Sequence, residues 1–257
     1  MIRLAQLSDL HFGAEDARAI AQAAEWIRAE RPDALVVCGD LTQRGKRREF
    51  EAARAWLEAF DLPRLVVPGN HDTPLLNLPA RMSDPFERYR DYFGAASPDL
   101  ELGDWQISGL NTARGWQARA NWAEGVVNLE DFAGRLQDAT PRQIIVCHHP
   151  FRSPPQTPLR TSTRRGEAAE TLLQESPARL LLTGHVHAPS AALRQSGAGS
   201  YLAISAGTLS SRLRDKPPSF NQLVIEGLTV RAEALELAGR DLQSRSLGDW
   251  DLGQMTA

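Results

Sequence analysis

Residues 2–11 read Ile-Arg-Leu-Ala-Gln-Leu-Ser-Asp-Leu-His, a mostly apolar run that stops at the polar pair Ser8-Asp9. The pattern returns at 34–40, Ala-Leu-Val-Val-Cys-Gly-Asp, and at 65–72, Leu-Val-Val-Pro-Gly-Asn-His-Asp. Short runs of this kind predict buried strands that end in loops. Between them, residues 15–30 place Ile20, Ala24 and Ile27 on one helical face, closed by Pro32. Phe50, Ala53, Leu57 and Phe60 repeat a helical stripe. Strands separated by helices predict an α/β fold: a parallel sheet with helices covering its faces.

The middle of the chain is less regular. A helix is predicted around Asp84 to Tyr92 and strands at Trp105 to Leu110, Gln143 to Cys147 and Arg179 to Leu182. Residues 111–128 read as a loop carrying Trp116 and Trp122, placed either to stack on a nucleobase or to pack inside. Phe151 to Arg165 reads as a Pro-, Thr- and Arg-rich loop. The last third is β-rich, through Tyr201 to Ser205, Gln222 to Glu226 and Thr229 to Leu235. With no repeat and no linker, one domain is expected over residues 1–240, followed by a loose polar tail at 241–257.

At 257 residues, 42% hydrophobic and 24% charged, the composition is that of a globular chain with a sizeable core. A net charge of −3 gives no reason to expect a polyanionic partner, and nucleic acid is not expected. The clusters Arg44, Lys46, Arg47, Arg48 and Arg160, Arg164, Arg165 read as solvated faces. No stretch reaches the roughly 18–20 apolar residues of a membrane helix. The N-terminus reads as neither a signal nor a transit peptide. Cys38 and Cys147 cannot form a disulfide framework and suit a reducing compartment, so a cytoplasmic location is expected. Oligomeric state stays open, a homodimer among the options.

Asp9, His11, Asp40, Asn70, His148, His185 and His187 each stand where an apolar run meets a loop. In open α/β sheets that position, beyond the carboxyl ends of strands, is where ligands bind. Carboxylate, amide and imidazole donors suit hard or borderline divalent cations rather than thiophilic ones. Extended backbone would aim both donors of Asp9-Leu10-His11 the same way. Glycines before Asp40, Asn70 and His185 permit tight turns toward a ligand. All six histidines of the chain lie in these segments. The pattern points to a two-metal hydrolytic site, in which two cations ~3.5–4 Å apart clamp an in-line displacement at phosphorus.

Asp9-Leu10-His11, Gly39-Asp40, Gly69-Asn70-His71-Asp72, His148-His149-Pro150 and Gly184-His185-Val186-His187 together resemble the signature of the calcineurin-like metallophosphoesterases, from residue 8 to about 208. Within that superfamily the pattern is similar to the class III cyclic nucleotide phosphodiesterases and glycerophosphodiesterases. The resemblance implies a four-layer α-β-β-α sandwich, the first half of the chain supplying one sheet and the C-terminal strands much of the other. It implies one metal on Asp9, His11, Asp40 and His187, and a second on Asp40, Asn70, His148 and His185, with Asp40 bridging. It also implies hydrolysis of a small phosphoester by metal-bridging hydroxide, with Mn, Fe, Zn or Co as the two ions. His71 would contact the scissile phosphate or protonate the leaving oxygen, with Asp72 to orient it. Asn111, His149 and Arg152 are further candidates for substrate contact. Cyclic nucleotides and other diesters lead the substrate expectations. Nucleotide- or lipid-linked monoesters and pyrophosphates come next, then nucleic acids, and last a regulatory protein that binds metal without turnover.

Overall fold

A computed structural model describes residues 1–255 except 76, 117–120, 122, 156, 158, 160 and 162. Trp122 and Arg160 lie outside the described residues. In chain order the first elements are β1 (Ile2–Leu7), α1 (Ala17–Glu30), β2 (Ala34–Cys38), α2 (Arg47–Glu58) and β3 (Arg64–Val67). There follow α3 (Leu78–Ser83), α4 (Glu87–Phe93), β4 (Asp99–Leu102), β5 (Trp105–Leu110), β6 (Gly125–Val126), α5 (Leu129–Leu136) and β7 (Gln143–Cys147). Next are β8 (Thr163–Arg164), α6 (Gly166–Glu175), β9 (Leu180–Thr183), β10 (Ser190–Ser196) and β11 (Gly199–Ser205). The chain ends with β12 (Ser219–Glu226), β13 (Thr229–Ala238) and β14 (Asp241–Asp251). No described helix is long and apolar enough to cross a membrane.

Two six-stranded sheets pack face to face, ordered β14-β13-β12-β1-β2-β3 and β10-β11-β9-β7-β5-β4. Alternation along β1 shows why. Ala5 and Leu7 enter a core with α1 and α2 (Ile27, Phe50, Leu57), whereas Leu4 enters a core between the sheets with Val36, Ile144, Val146 and Leu182. A third core joins Ile145 and Leu181 on the far face of the second sheet to Phe132 and Leu173 of α5 and α6. This is the α-β-β-α layering that the motifs imply. A Val or Leu buried in such a layer contributes roughly 1.5–3 kcal/mol. Gln6 crosses the inter-sheet core. Its Nε2 donates to the carbonyls of Thr183 (3.0 Å) and Ile204 (3.1 Å), and its Oε1 accepts from Asn221 Nδ2 (2.9 Å).

The division of strands differs from the expectation. Among the C-terminal strands β10 and β11 do join the second sheet, but β12, β13 and β14 do not; β12 pairs antiparallel with β1 and extends the first. β1 has β2 on one side only, so its other edge is free to take a late strand. The second sheet comes from the middle of the chain and has its own parallel block, β5-β7-β9-β11. Nor is the C-terminal segment a tail. Residues 241–251 form β14, paired antiparallel to the whole of β13, and Leu252 beyond it is buried in the inter-sheet core.

Candidate metal centre

The donors come from both sheets and meet at the seam above the carboxyl ends of β1, β2, β3, β7 and β9. Extended backbone is not how they get there. Asp9 (φ 53°), His11 (45°), Asp40 (53°), His185 (70°) and His187 (54°) are all left-handed. Each such residue costs on the order of 1 kcal/mol, so their clustering marks backbone held in place for a purpose. Backbone bonds between neighbouring loops hold it: Asp9 N donates to Gly39 O (2.9 Å), His11 N to Asp40 O (3.0 Å) and Gly184 N to His148 O (3.0 Å). Close approach requires the glycines. A Cβ on Gly69 would lie 2.0 Å from Asp40 Oδ1, and one on Gly184 1.8 Å from Ser8 Oγ.

Hydrogen bonds behind the donors leave particular atoms facing inward. His11 Nδ1 meets Thr42 O (3.3 Å), His148 Nδ1 meets Cys38 O (2.7 Å) and His187 Nδ1 meets Arg212 O (2.6 Å). A carbonyl can only accept, so each Nδ1 donates to it and each Nε2 is the atom left facing the site. Asp9 Oδ2 accepts from Ser8 Oγ (2.6 Å) and His185 N (2.9 Å), which frees Oδ1. Asp40 Oδ1 accepts from His71 N (2.8 Å), which frees Oδ2.

These free atoms converge. His11 Nε2 and His187 Nε2 lie 3.4 Å apart, and His187 Nε2 is 3.0 Å from Asp9 Oδ1. Asp40 Oδ2 sits 3.7 Å from His11 Nε2 and 3.4 Å from His148 Nε2, so a single oxygen lies between the two ligand sets, not one oxygen for each. Asp9 Oδ1, Asn70 Oδ1 and His148 Nε2 are buried without any hydrogen-bond partner. Lone pairs facing one another in a dry site are repulsive unless a cation lies among them. Asp9, His11 and His187 form one group of ligand atoms within 4.8 Å of one another, and Asp9, Asp40 and His148 another. The residues therefore fit divalent metals.

Electrostatics agree. At Asp9 burial opposes ionisation, but His187 and His11 outweigh it and hold the carboxyl well below its usual range. Burial also disfavours charge on His148, yet Asp40 prevails and pushes the imidazole up to about 9. His185 goes the other way, to about 3, through burial and the neighbouring His148. Burial, with a lesser push from Asp9, lifts Cys38 to about 12, and burial also raises the Cys147 thiol, so neither is a thiolate ligand.

His71 stands edge-on to His11, ring centroids 4.8 Å apart. Its ring is oriented not by Asp72 but by Gln43 O, 2.8 Å from Nδ1, and by Arg212 Nη1, 2.8 Å from Nε2. Asp72 faces backward: it accepts from Leu41 N, Thr42 N, Thr42 Oγ1 and Gly69 N (2.8–3.2 Å) and so ties the Asp40 loop to the Asn70 turn.

His149 holds both ring nitrogens in protein bonds, to Thr112 Oγ1 (2.9 Å) and Ala123 O (3.1 Å), so it braces the site and leaves ligation to His148. Asn111 spends its side-chain oxygen on Ala113 N (2.9 Å), fixing the loop after β5. Arg152 pairs with Glu170 and Glu167 and lines a separate cavity of about 690 Å³ with Arg165 and Arg194, away from the metal donors. Trp116 is not interior: it is 46% exposed and borders a cleft of about 290 Å³ with Met82 and Phe86. Arg212, whose carbonyl holds His187 and whose guanidinium meets His71, was not legible as a site residue. The only sequence signal was an arginine pair in the irregular segment after the strand at 201–205.

A family model described as calcineurin-like phosphoesterase matches residues 2–189. The chain belongs to that family. Its relatives include a probable cyclic nucleotide phosphodiesterase of Synechococcus sp., 23% identical over 240 residues and 88% of each chain. A 3',5'-cyclic adenosine monophosphate phosphodiesterase of Escherichia coli is 24% identical over 200 residues, 72% of this chain and 70% of that one. The fold superposes on a purple acid phosphatase from yellow lupin with a TM-score of 0.65 at 13% identity, covering 95% of this chain and 52% of that one. The calcineurin-like phosphoesterase described here is thus a metal-dependent phosphoester hydrolase, with its candidate ligand clusters in place.

Proposed function

We propose that this enzyme hydrolyses small phosphodiesters, cyclic nucleotides foremost, at a dinuclear centre. One observation carries the reading: the inward-facing Nε2 atoms of His11, His148 and His187 and the free oxygens of Asp9 and Asp40 form two ligand sets that share Asp40 Oδ2. Asp9, His11, Asp40 and His187 would hold one ion, and Asp40, Asn70, His148 and His185 the other. When bound, Mn, Fe, Zn or Co would supply water activated near neutral pH and positive charge for the transition state.

The chain's own groups do the rest. His71 lies beside the ligand rings with Nδ1 held by Gln43 O, where the ring would contact the phosphate or, once protonated on Nε2, pass that proton to the leaving oxygen. His149 and Thr112 hold the second ligand set in orientation. Buried, reduced Cys38 and Cys147 fit a cytoplasmic place of action.

The test is hydrolysis of 3',5'-cyclic AMP, bis(p-nitrophenyl) phosphate and glycerophosphodiesters by Mn²⁺-loaded protein, with p-nitrophenyl phosphate as the monoester control. Diester turnover is expected. His71→Ala should lower kcat by roughly 10²–10⁴-fold while keeping its metal. A clear monoester preference would displace the diesterase reading. A second reading, hydrolysis of nucleotide- or lipid-linked phosphates, is favoured by exposed Leu75, Leu78, Met82 and Trp116, the first two just beyond the Asn70 turn. It predicts faster turnover of substrates with a large apolar or aromatic leaving group.

A further inference from the structure

The segment between β11 and β12, residues 206–218, is irregular yet tightly built. Thr208 Oγ1 donates to Asp9 O (2.6 Å), Ser210 Oγ accepts from Arg212 N (3.2 Å), and Arg212 O accepts from the ligand His187 (2.6 Å). Thr208 and Ser210 are fully buried. The backbone of Arg212 is therefore fixed to the metal centre, unlike that of a solvated loop.

Its guanidinium reaches over the site. Nη1 lies against the His71 ring, 2.8 Å from Nε2 and 3.3 Å from Nδ1, and donates to Gln43 Oε1 (3.3 Å). Among the described residues, its Nε and Nη2 make no hydrogen bond. Two positions on, Arg214 is half-buried and, among the described residues, has neither a hydrogen bond nor an ion pair. It follows by two residues the carbonyl that holds His187 Nδ1, and burial, Asp9, Arg212 and Asp40 all bear on its charge. A guanidinium taken partly out of water without a partner is costly, and its planar fork of donors matches the oxygens of a phosphate.

We propose that Arg212 and Arg214 bind the non-bridging phosphoryl oxygens of the substrate. Arg212 turns Nη1 from the His71 ring to a phosphoryl oxygen, and its Nε and Nη2 offer further donors to the same group. The proposal rests on the phosphoester reading of this site and adds the residues that recognise the anion.

Calorimetric titration of inorganic phosphate into Mn²⁺-loaded protein reads the pair without turnover. Arg212→Gln should weaken phosphate roughly tenfold, and Arg214→Gln several-fold, with metal content and Tm unchanged. Arg212→Lys should recover part of the loss, since it keeps the charge and loses the fork. KM for bis(p-nitrophenyl) phosphate should rise in parallel with the phosphate constant. Wild-type phosphate affinity in both Gln variants would overturn the proposal. A change confined to metal content or Tm would also overturn it, because the arginines would then only balance Asp9 and Asp40. Wild-type protein that binds phosphate but cleaves no diester would refute the diesterase reading alone, and the phosphate constants would still decide for the arginines.

Discussion

At the scale of single residues, the centre is governed by which atoms are already satisfied. His148 shows the consequence most directly. Its imidazole is raised to about 9 from an ordinary 6.5, burial being outweighed by Asp40. At pH 7 the metal-free ring holds a proton on Nε2, the atom a metal needs. Metal binding must displace that proton, so apparent Mn²⁺ affinity should rise about tenfold per pH unit between pH 6 and 8 from this group. In the metal-free protein the same raised ring contributes stability that is full below 6.5 and is lost as pH rises through about 9. Competition with a chromophoric chelator at several pH values measures the first effect, and a pH-independent affinity would refute it. Gly69→Ala tests the packing of the same atoms. Its Cβ would fall 2.0 Å from Asp40 Oδ1, displacing the shared carboxylate and not the core. Metal affinity should drop at least about tenfold with the far-UV circular dichroism unchanged. Retention of both metals at wild-type affinity would show that Asp40 can move without cost.

At the scale of elements, β14 carries a stability argument. Leu252, just past its end, is 2% exposed in the inter-sheet core, beside Leu247 and Trp250 of the strand. Leu252→Ala should cost about 2–4 kcal/mol, roughly 5–15 °C in Tm, a loss that scanning calorimetry resolves. An unchanged Tm would return the segment to the status of a tail. The strand escaped the sequence reading for a physical reason. Leu242 packs on the helix side, whereas Leu247 and Trp250, an odd number of residues apart, share the inter-sheet side. The register shift at Ala232/Glu233 resets the alternation, so no period of two runs through Asp241–Asp251. By contrast β1, β2 and β3 were legible because burial on both faces makes them continuous apolar runs. The donors were legible because each follows such a run. Their left-handed backbone was not, since Asp and His in that conformation look like any polar loop. Nor was the Arg212–His71 contact, whose partners stand 141 residues apart.

At the scale of the whole molecule, the centre is also a fastening. Its candidate ligands hang from β1, β2 and β3 of one sheet and from β7 and β9 of the other, layers that the apolar inter-sheet core, Gln6 and hydrogen bonds such as His148 Nδ1 to Cys38 O and His185 N to Asp9 Oδ2 also join near the site. Without cations Asp9 Oδ1 and Asn70 Oδ1 would stay buried and unpaired, while five candidate ligand residues keep a left-handed backbone with only hydrogen bonds between the loops to hold it. Bound metal at 100 times its Kd stabilises the fold by about 2.7 kcal/mol per site through mass action, so exhaustive chelation should lower Tm by roughly 5–20 °C. The loss should be uneven. Hydrogen exchange should quicken in residues 8–12, 39–43 and 184–188, which owe their backbone geometry to the ligands. It should change little in the strands, whose pairing and apolar burial are complete without metal. A Tm unchanged after complete metal removal, confirmed by elemental analysis, would mean that protein contacts alone hold the left-handed turns. The ions would then matter for chemistry and not for the joining of the sheets.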